Sequence, residues 1–272
     1  MLPTPASALR FSRLLLTGAA GSLGRELRPR LKAYCDTLRL SDLHTMGAAA
    51  AGEEIMPLDL ANAAAVQALL AGVNAVVHLG GVSTEQPWAP ILAGNIVGMV
   101  NLYEAARAHG IKRIVFASSN HVTGFYRQDE VISPREPMRP DGFYGLSKAF
   151  GENLAQLYWD KHGIETVSLR IGSCFPQPRS RRALATWLSF DDLERLVVAA
   201  LTAPIVGHTV IYGMSDNTTT WWDNTRSRHI GYRPQDSSQP YRAALETAEP
   251  VVDPNQAEAK YQGGVFVAQG PY

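Results

Sequence analysis

The chain has few cysteines, no excess of either charge and no long apolar run. Cys35 and Cys174 are too few for a disulfide framework and are typical of a reducing compartment. The 25 basic residues balance the 25 acidic ones, which gives no reason to expect nucleic acid or an anionic membrane as partner. Glycine soon interrupts the apolar run 14–16, and no later stretch approaches the length of a membrane span. We therefore expect a cytoplasmic protein that binds a small molecule.

The length and composition are sufficient for one large core. With 272 residues, of which 46% are hydrophobic, the chain is expected to form a single domain of α/β type. We assign residues 1–272 to this domain and expect 173–272 to contribute most of a small substrate lobe and tail. The sequence contains no internal repeat.

A glycine-rich turn follows the first apolar run. Gly18, Gly21 and Gly24 have the spacing G-x-x-G-x-x-G, and a helical pattern extends from Arg25 to Tyr34. Such a turn brings backbone N–H groups and a helix N-terminus close to a pyrophosphate. The pattern favours dinucleotide binding, although an ordinary strand–helix turn has the same local form.

Two aspartates follow the next short strands. Asp42 ends the predicted strand Leu38–Asp42, 18 residues after Gly24, near the distance at which a carboxylate binds the adenosine ribose. A carboxylate there accepts hydrogen bonds from both ribose hydroxyls and repels a 2′-phosphate, which favours NAD over NADP. Asp59 precedes an alanine-rich helix, and it either caps that helix or contacts the adenine.

The middle of the chain continues the alternation of strands and helices. The segment 75–79 reads as a buried parallel strand, within which we expect His78 to be a core histidine. Asn95 lies in a helical pattern from Ile91 to Ala108 and is expected to brace a neighbouring loop or the active site.

Polar residues follow the predicted strand Arg113–Ser119, where ligands bind in an open parallel sheet. The next helix, from Tyr144 to His162, has Tyr144 and Lys148 one turn apart on the same face. An adjacent ammonium stabilises a phenolate, so Lys148 is expected to lower the pKa of Tyr144 enough for it to act as a base.

The last third of the chain is less regular. It contains predicted strands at 165–171 and 210–213, and a helix that leads to Leu201 after the capping sequence Ser189–Asp192. The tail 215–272 has little periodicity, and the sequence leaves open whether it covers the active site or a subunit contact.

The order of these motifs resembles the extended branch of the short-chain dehydrogenase/reductase superfamily. The resemblance covers about the first 180 residues and implies a doubly wound parallel (Rossmann) sheet with a small C-terminal substrate lobe. It also implies that Tyr144 is the base, that Ser119 holds the substrate oxygen and that Lys148 binds the nicotinamide ribose. The residues implied to bind NAD are Gly18, Gly21, Ser22, Leu23, Gly24, Asp42, Asp59, Leu60, Leu79, Tyr144 and Lys148.

Within that superfamily, the residues after the serine pair look like those of the uronate dehydrogenases. This resemblance implies oxidation of the anomeric C1 hydroxyl of a hexuronic acid to an aldarolactone, with hydride passing to NAD and no metal involved. The implied substrate-binding residues are Ser83, Ser119, Asn120, His121, Tyr144, Ser173 and Arg182. An arginine fork suits a carboxylate, and the sequence does not choose between Arg182 and its neighbours Arg179 and Arg181.

Two other functions fit parts of this pattern. A nucleotide-sugar epimerase or dehydratase would have the same fold and retain its NAD, but only 124 residues follow Lys148 to form a lobe for a nucleotide diphosphate. A non-catalytic NAD-sensing module would have no use for a Tyr144–Lys148 pair. We also expect a homo-oligomer, because the two long predicted helices are suited to pairing with copies of themselves.

Overall fold

The computed structural model of the protein describes residues 10–249, 253 and 255–270, so part of the predicted tail lies outside the described residues. Seven strands form one parallel sheet in the order β3-β2-β1-β4-β5-β6-β9. They are β1 (Phe11–Thr17), β2 (Cys35–Ser41), β3 (Glu53–Ile55), β4 (Ala75–His78), β5 (Arg113–Ser119), β6 (Glu165–Ile171) and β9 (His208–Gly213). The strand order reverses between β1 and β4, which is where a doubly wound sheet binds its ligand.

Helices cover both faces of the sheet. One apolar cluster packs α1 and α7 on one face, and a second packs α2, α4 and α5 on the other. The helices are α1 (Ser22–Leu31), α2 (Ala63–Leu70), α3 (Trp88–Ile91), α4 (Gly98–Ala108), α5 (Phe143–His162), α6 (Ala183–Thr186), α7 (Phe190–Thr202), α8 (Arg242–Ala248) and α9 (Ala257–Lys260). No helix among the described residues is long and apolar enough to span a membrane.

Several boundaries differ from the sequence prediction. Helix α1 begins directly at the glycine turn instead of at Arg25, because Gly21 already acts as its N-cap. Asn62, and not Asp59, caps α2 by accepting a hydrogen bond from the Ala65 amide at 3.1 Å. A π-helical segment, Leu92–Val97, joins α3 to α4, so the predicted single helix is interrupted where it faces the cleft.

A buried ion pair connects three strands to α5 beneath the carboxyl end of the sheet. The Arg170 guanidinium donates to both carboxylate oxygens of Glu152, at 3.0 and 2.8 Å. The Ser118 hydroxyl donates to the same carboxylate at 2.6 Å, and Arg170 also contacts the Tyr212 hydroxyl at 3.2 Å. Removing one member of such a pair leaves a buried charge without its partner, so the network holds α5 against the strand ends.

The tail packs across the carboxyl end of the sheet. A second, two-stranded sheet consists of β7 (Ser173–Cys174) and β8 (Trp187–Leu188), and the tail runs beyond it. Trp222 stacks on Tyr212 with 4.8 Å between ring centres, and its indole N–H donates to the Gln262 side chain at 2.9 Å. This packing brings the following 3₁₀ turn, Gly264–Ala268, against His121, which lies in the turn after β5.

Candidate active site

A cleft of about 1960 Å³ runs along the carboxyl ends of the strands. The glycine turn, Asp42, Asp59, Leu60 and Leu79 line one part of it. Polar residues from several loops line the other part, and Tyr144 and Lys148 also border the cleft. These polar residues are Ser83, Ser119, Asn120, His121, Ser173 and Arg182. One cleft therefore contains every residue that the sequence predicts for cofactor and substrate.

The glycine turn is shaped for close backbone approach. Gly18 has φ of 69°, and a Cβ there would lie 2.7 Å from the carbonyl carbon of Leu79. A Cβ at Gly24 would overlap the Gly18 carbonyl oxygen, so glycine is required where α1 crosses the turn. The turn and the start of α1 at Ser22 thus fit the pyrophosphate of a dinucleotide.

Asp42 directly follows β2 at the edge of the cleft. One carboxylate oxygen accepts a hydrogen bond from the Ala20 amide at 2.9 Å, and the other accepts from the His44 amide at 2.8 Å. These bonds hold the carboxylate beside the glycine turn, where the adenosine ribose of a dinucleotide would lie.

Replacing Asp42 by alanine is expected to weaken discrimination against NADP, because the carboxylate that repels a 2′-phosphate is removed. The measurement is the ratio of kcat/KM for NAD and NADP in the native and variant enzymes. Asp36, at the opposite end of β2, provides the matched control, since D36A leaves the cleft unchanged. A native enzyme that prefers NADP would contradict this assignment.

Tyr144 and Lys148 project from the first turns of α5 toward the end of β5. The Lys148 ammonium donates to the Ala117 carbonyl at 2.8 Å and lies 5.6 Å from the centre of the Tyr144 ring. Ser119 ends β5 in the same part of the cleft, and its hydroxyl accepts a hydrogen bond from the His121 amide at 3.2 Å. A phenol, an ammonium and a hydroxyl therefore converge, as proton transfer to and from a substrate oxygen requires.

Burial changes the proton affinities of this group. It raises the pKa of Tyr144 to about 12, although the Ser119 hydroxyl partly opposes the rise. Burial also lowers the pKa of Lys148 to about 8. The sequence prediction that Lys148 lowers the pKa of Tyr144 below its ordinary value is therefore not met, because the loss of water around the phenolate outweighs a cation at this distance.

If Tyr144 is the base, the rate of the reaction is expected to rise with pH between about 6 and about 8, because the phenolate form of Tyr144 becomes more populated as pH rises toward its raised pKa. Lys148 remains mostly protonated below its pKa of about 8 and favours the phenolate there. The measurement is kcat/KM against pH at saturating NAD. A rate that falls over this interval would contradict Tyr144 as the base.

Arg182 is placed among the polar residues of the cleft. Its Nη1 contacts the Ser173 hydroxyl at 3.3 Å, and its Nε and Nη2 donate to the Gln262 carbonyl at 2.9 and 2.5 Å. With the Asn120 amide oriented to satisfy both neighbours, its oxygen accepts from Arg182 at 2.9 Å and its nitrogen donates to Ile171 at 3.1 Å. Burial lowers the pKa of Arg182 to about 10 against the attraction of a nearby carboxylate, so the side chain is a cation at neutral pH.

Comparison with known proteins identifies the family. Residues 14–190 match the NAD dependent epimerase/dehydratase family. The uronate dehydrogenase of Pseudomonas putida is 56% identical over 96% of this chain and 98% of its own length. The chain belongs to the uronate dehydrogenase family. The family predicted from the sequence motifs is thereby confirmed.

Solved structures of uronate dehydrogenases have the same fold. A mutant of the Agrobacterium tumefaciens uronate dehydrogenase, complexed with NAD, is 50% identical with a TM-score of 0.93, covering 97% of this chain and 98% of that one. The glucuronic acid dehydrogenase of Chromohalobacter salexigens is 52% identical with a TM-score of 0.94, covering 96% and 98%. The predicted doubly wound parallel sheet is confirmed.

In this member of the uronate dehydrogenase family, the structure separates the three candidate arginines. The Arg181 guanidinium binds the end of α8, where it donates two hydrogen bonds to the Glu249 carbonyl, at 3.0 and 2.9 Å. The exposed Arg179 lies over the Phe175 ring, 4.3 Å from its centre. Only Arg182 of these three contacts the predicted substrate residues.

The loop after β4 is braced from two helices. The Asn95 amide accepts from the Val82 amide at 2.7 Å and donates to the Val82 carbonyl at 3.0 Å, which confirms the predicted bracing. The buried Glu85 accepts hydrogen bonds from the Phe143 and Tyr144 amides, at 2.9 and 2.8 Å, and so caps the start of α5. Sequence reasoning missed Glu85, because its partners lie more than fifty positions away in the chain.

Sequence reasoning did not assign two tail residues, of which Phe266 lines the cleft and Gln262 contacts the cleft residue Arg182. The Phe266 ring stacks on His121 with 3.9 Å between ring centres. The Gln262 carbonyl accepts the bonds from Arg182, and the Gln262 amide group donates to the Arg127 and Glu130 carbonyls. The pair Gly263–Gly264 before an apolar triplet is a local signal in the tail, but its distance from the other motifs concealed its role.

The sequence placed His78 in the core, and the structure agrees. Its Nδ1 lies 2.7 Å from the Thr17 hydroxyl, and burial lowers the pKa of His78 to about 3. A histidine that stays neutral at physiological pH acts here as a packing residue. Within the described residues, no group of three or more histidine, cysteine, aspartate or glutamate side chains could hold a metal ion.

Proposed function

We propose that the protein is an NAD-dependent uronate dehydrogenase that oxidises the C1 hydroxyl of a hexuronic acid to the aldarolactone. The observation that carries this proposal is the convergence of Tyr144 and Ser119 with the partly buried cation of Arg182 at one end of the dinucleotide cleft. The names of relatives more than half identical over nearly the whole chain support the same activity.

Each residue near the substrate has a defined role in this proposal. The Tyr144 oxygen takes the proton of the C1 hydroxyl, and the Ser119 hydroxyl donates a hydrogen bond to the C1 oxygen. Lys148 adds positive charge beneath the phenolate and binds the nicotinamide ribose. When bound, NAD accepts the hydride from C1.

The substrate carboxylate binds the edge of the planar Arg182 guanidinium that faces away from the Gln262 carbonyl. Ser83, Asn120, His121 and Ser173 hydrogen-bond the sugar hydroxyls.

The cofactor contacts proposed for NAD follow the first part of the cleft. The glycine turn binds the pyrophosphate, and the Asp42 carboxylate accepts hydrogen bonds from the hydroxyls of the adenosine ribose. Asp59 and Leu60 border the adenine, and Leu79 borders the path toward the nicotinamide. The complete set is Gly18, Gly21, Ser22, Leu23, Gly24, Asp42, Asp59, Leu60, Leu79, Tyr144 and Lys148.

The test is NADH formation with a panel of galacturonate, glucuronate, the corresponding neutral hexoses and nucleotide sugars. We expect turnover of uronates, with one NADH formed for each uronate consumed. Conversion of a nucleotide sugar without net consumption of NAD would instead support an epimerase or dehydratase. Binding of NAD with no turnover of any sugar would support a sensing module.

We also propose that residues 173–272 supply most of the substrate lobe. Ser173, Arg182 and Phe266 come from this part of the chain and line the cleft, and Gln262 accepts hydrogen bonds from Arg182. Limited proteolysis with and without uronate tests this, because ligand contacts should protect the lobe.

The apolar surface of two helices supports the proposal of a homo-oligomer. Leu92 and Val97 in the π-helical segment are 37% and 38% exposed, and Leu146 and Leu157 on α5 are 46% and 45% exposed. Burying such side chains between two copies is favourable. A monomeric mass by light scattering would contradict it.

We propose the cytoplasm as the site of action, where the two buried thiols, Cys35 and Cys174, stay reduced. Cell fractionation tests this assignment.

A further inference from the structure

His121 is held by a buried carboxylate beside the proposed base. Its Nδ1 lies 2.6 Å from Asp141 Oδ2. The aspartate side chain is 1% exposed and the histidine side chain is 10% exposed, so the contact is nearly dry. The His121 ring meets the Tyr144 ring edge-on, with 5.8 Å between centres. A buried acid therefore acts on a histidine that borders the substrate end of the cleft.

The Asp141 side chain fits its position because three neighbouring residues are glycines and have no Cβ. A Cβ at Gly124 or at Gly263 would overlap Asp141 Oδ2, and a Cβ at Gly145 would lie 3.1 Å from Oδ1. These glycines come from three separate segments, one of them in the tail. No described residue donates a hydrogen bond to Oδ1, so the histidine is the principal partner of this carboxylate.

This arrangement determines which nitrogen of His121 is protonated. An ionised carboxylate only accepts hydrogen bonds, so Nδ1 must carry the proton that it donates to Asp141. In the neutral ring, Nε2 then has a free lone pair. Phe266 stacks on one face of the ring at 3.9 Å, and the backbone amide of His121 is tied to Ser119. The ring therefore has little freedom to turn over.

We propose that Asp141 is a positioning residue that fixes His121 as a hydrogen-bond acceptor for one hydroxyl of the sugar. This inference rests on the proposed function, in which His121 borders the uronate. The sugar hydroxyl opposite Nε2 must then donate its proton, so a substituent that only accepts hydrogen bonds does not replace it. Asp141 thereby contributes to specificity without touching the substrate.

The negative charge of Asp141 acts on two other groups of the site. It raises the pKa of Tyr144, for which burial is the larger cause, and opposes the lowering of the pKa of Arg182 by burial. A kinetic change in an Asp141 variant therefore combines two effects, the loss of this charge and the altered orientation of His121. The test needs a measurement of the histidine itself.

The direct measurement is the ¹⁵N NMR spectrum of the histidine-labelled full chain, with the His121 signals assigned from H121Q. We expect a protonated Nδ1 and an unprotonated Nε2 in the native protein, and a shift toward the Nε2–H form in D141A. D141N is expected to be intermediate, because its amide oxygen still accepts a hydrogen bond. A native ring protonated on Nε2, or an unchanged tautomer in D141A, would overturn the proposal.

Kinetics provide the second measurement. D141A is expected to lower kcat/KM for uronate by about 10- to 100-fold, the usual effect of losing a hydrogen bond to a charged group, mainly through KM. NAD affinity should remain native. In uronate analogues, the hydroxyl that donates to His121 Nε2 can be replaced by fluorine, which cannot donate a hydrogen bond. This replacement should lower the activity of the native enzyme by a larger factor than that of D141A. Equal sensitivity of both enzymes to fluorine would contradict the acceptor role.

The matched control is another buried aspartate remote from the cleft. Asp192 accepts hydrogen bonds from the Gln235 and Asp236 amides, at 2.9 and 3.0 Å. D192A is expected to reduce stability without changing the His121 tautomer or KM. If D141A does not fold, the native spectrum still decides which nitrogen is protonated. If the native enzyme oxidises no uronate, the proposed function fails while the tautomer result stands.

Discussion

Replacing Tyr144 by phenylalanine is expected to lower kcat for uronate oxidation by about 10²–10⁴-fold, the usual cost of removing a general base. The phenyl ring retains its contacts with His121 and Phe266, so only the hydroxyl that accepts the substrate proton is lost. Affinity for NAD should remain close to native. The measurements are kcat with galacturonate and the dissociation constant of NAD by calorimetry.

The same helix provides a control for this substitution. The Tyr158 hydroxyl donates to Glu104 at the far end of α5, away from the cleft. Y158F removes one tyrosine hydroxyl from α5 without touching the substrate site, and its kcat should be native. Near-native turnover in Y144F would disprove the assignment of the base.

Replacing Arg182 by alanine is expected to lower kcat/KM for uronates by about 30-fold to several thousand-fold. This range corresponds to about 2–5 kcal/mol, the cost of leaving one partner of a buried charge pair alone. A carboxylate that enters the cleft loses its hydration, and the two parallel N–H groups of a guanidinium replace it. Neutral hexoses have no carboxylate and should be affected much less.

Arg182 also supports the tail, because it donates two hydrogen bonds to the Gln262 carbonyl. Loss of that support would impair acids and neutral sugars alike. The measurement is therefore kcat/KM for galacturonate and for galactose in native, R182A and R182K enzymes. R182K should recover only part of the loss, since an ammonium lacks the planar fork. Equal losses on both sugars would show that the arginine supports the loop only.

The neighbouring arginine provides the control for the carboxylate assignment. Arg179 lies over the Phe175 ring on the surface, so R179A should have native kinetics with both sugars. A selective loss of uronate activity in R179A would transfer the carboxylate site to that residue.

Local patterns were sufficient to predict the dinucleotide half of the molecule. The glycine spacing, the acid after β2 and the pair Tyr144–Lys148 each depend on neighbours a few positions away, because backbone turns and helix faces are local properties. The sheet order follows from alternating strands and helices with right-handed crossovers. The boundary errors at α1 and α2 arose where caps, and not apolar periodicity, determine the ends of helices.

Long-range packing decided the substrate half and the proton affinities. Only the tertiary contacts distinguish Arg182 from Arg181. The Arg181 guanidinium binds the end of α8, whereas the Arg182 guanidinium is oriented by the Gln262 carbonyl. The raised pKa of Tyr144 depends on how much water the whole fold excludes, which spacing along the helix does not reveal. The amino-acid sequence by itself therefore determined the fold and the family, and it predicted Tyr144 as the base. Tertiary structure alone decided which tail residues contact His121 and Arg182 and that Asp141 contacts His121, because those contacts join segments that are distant in the chain.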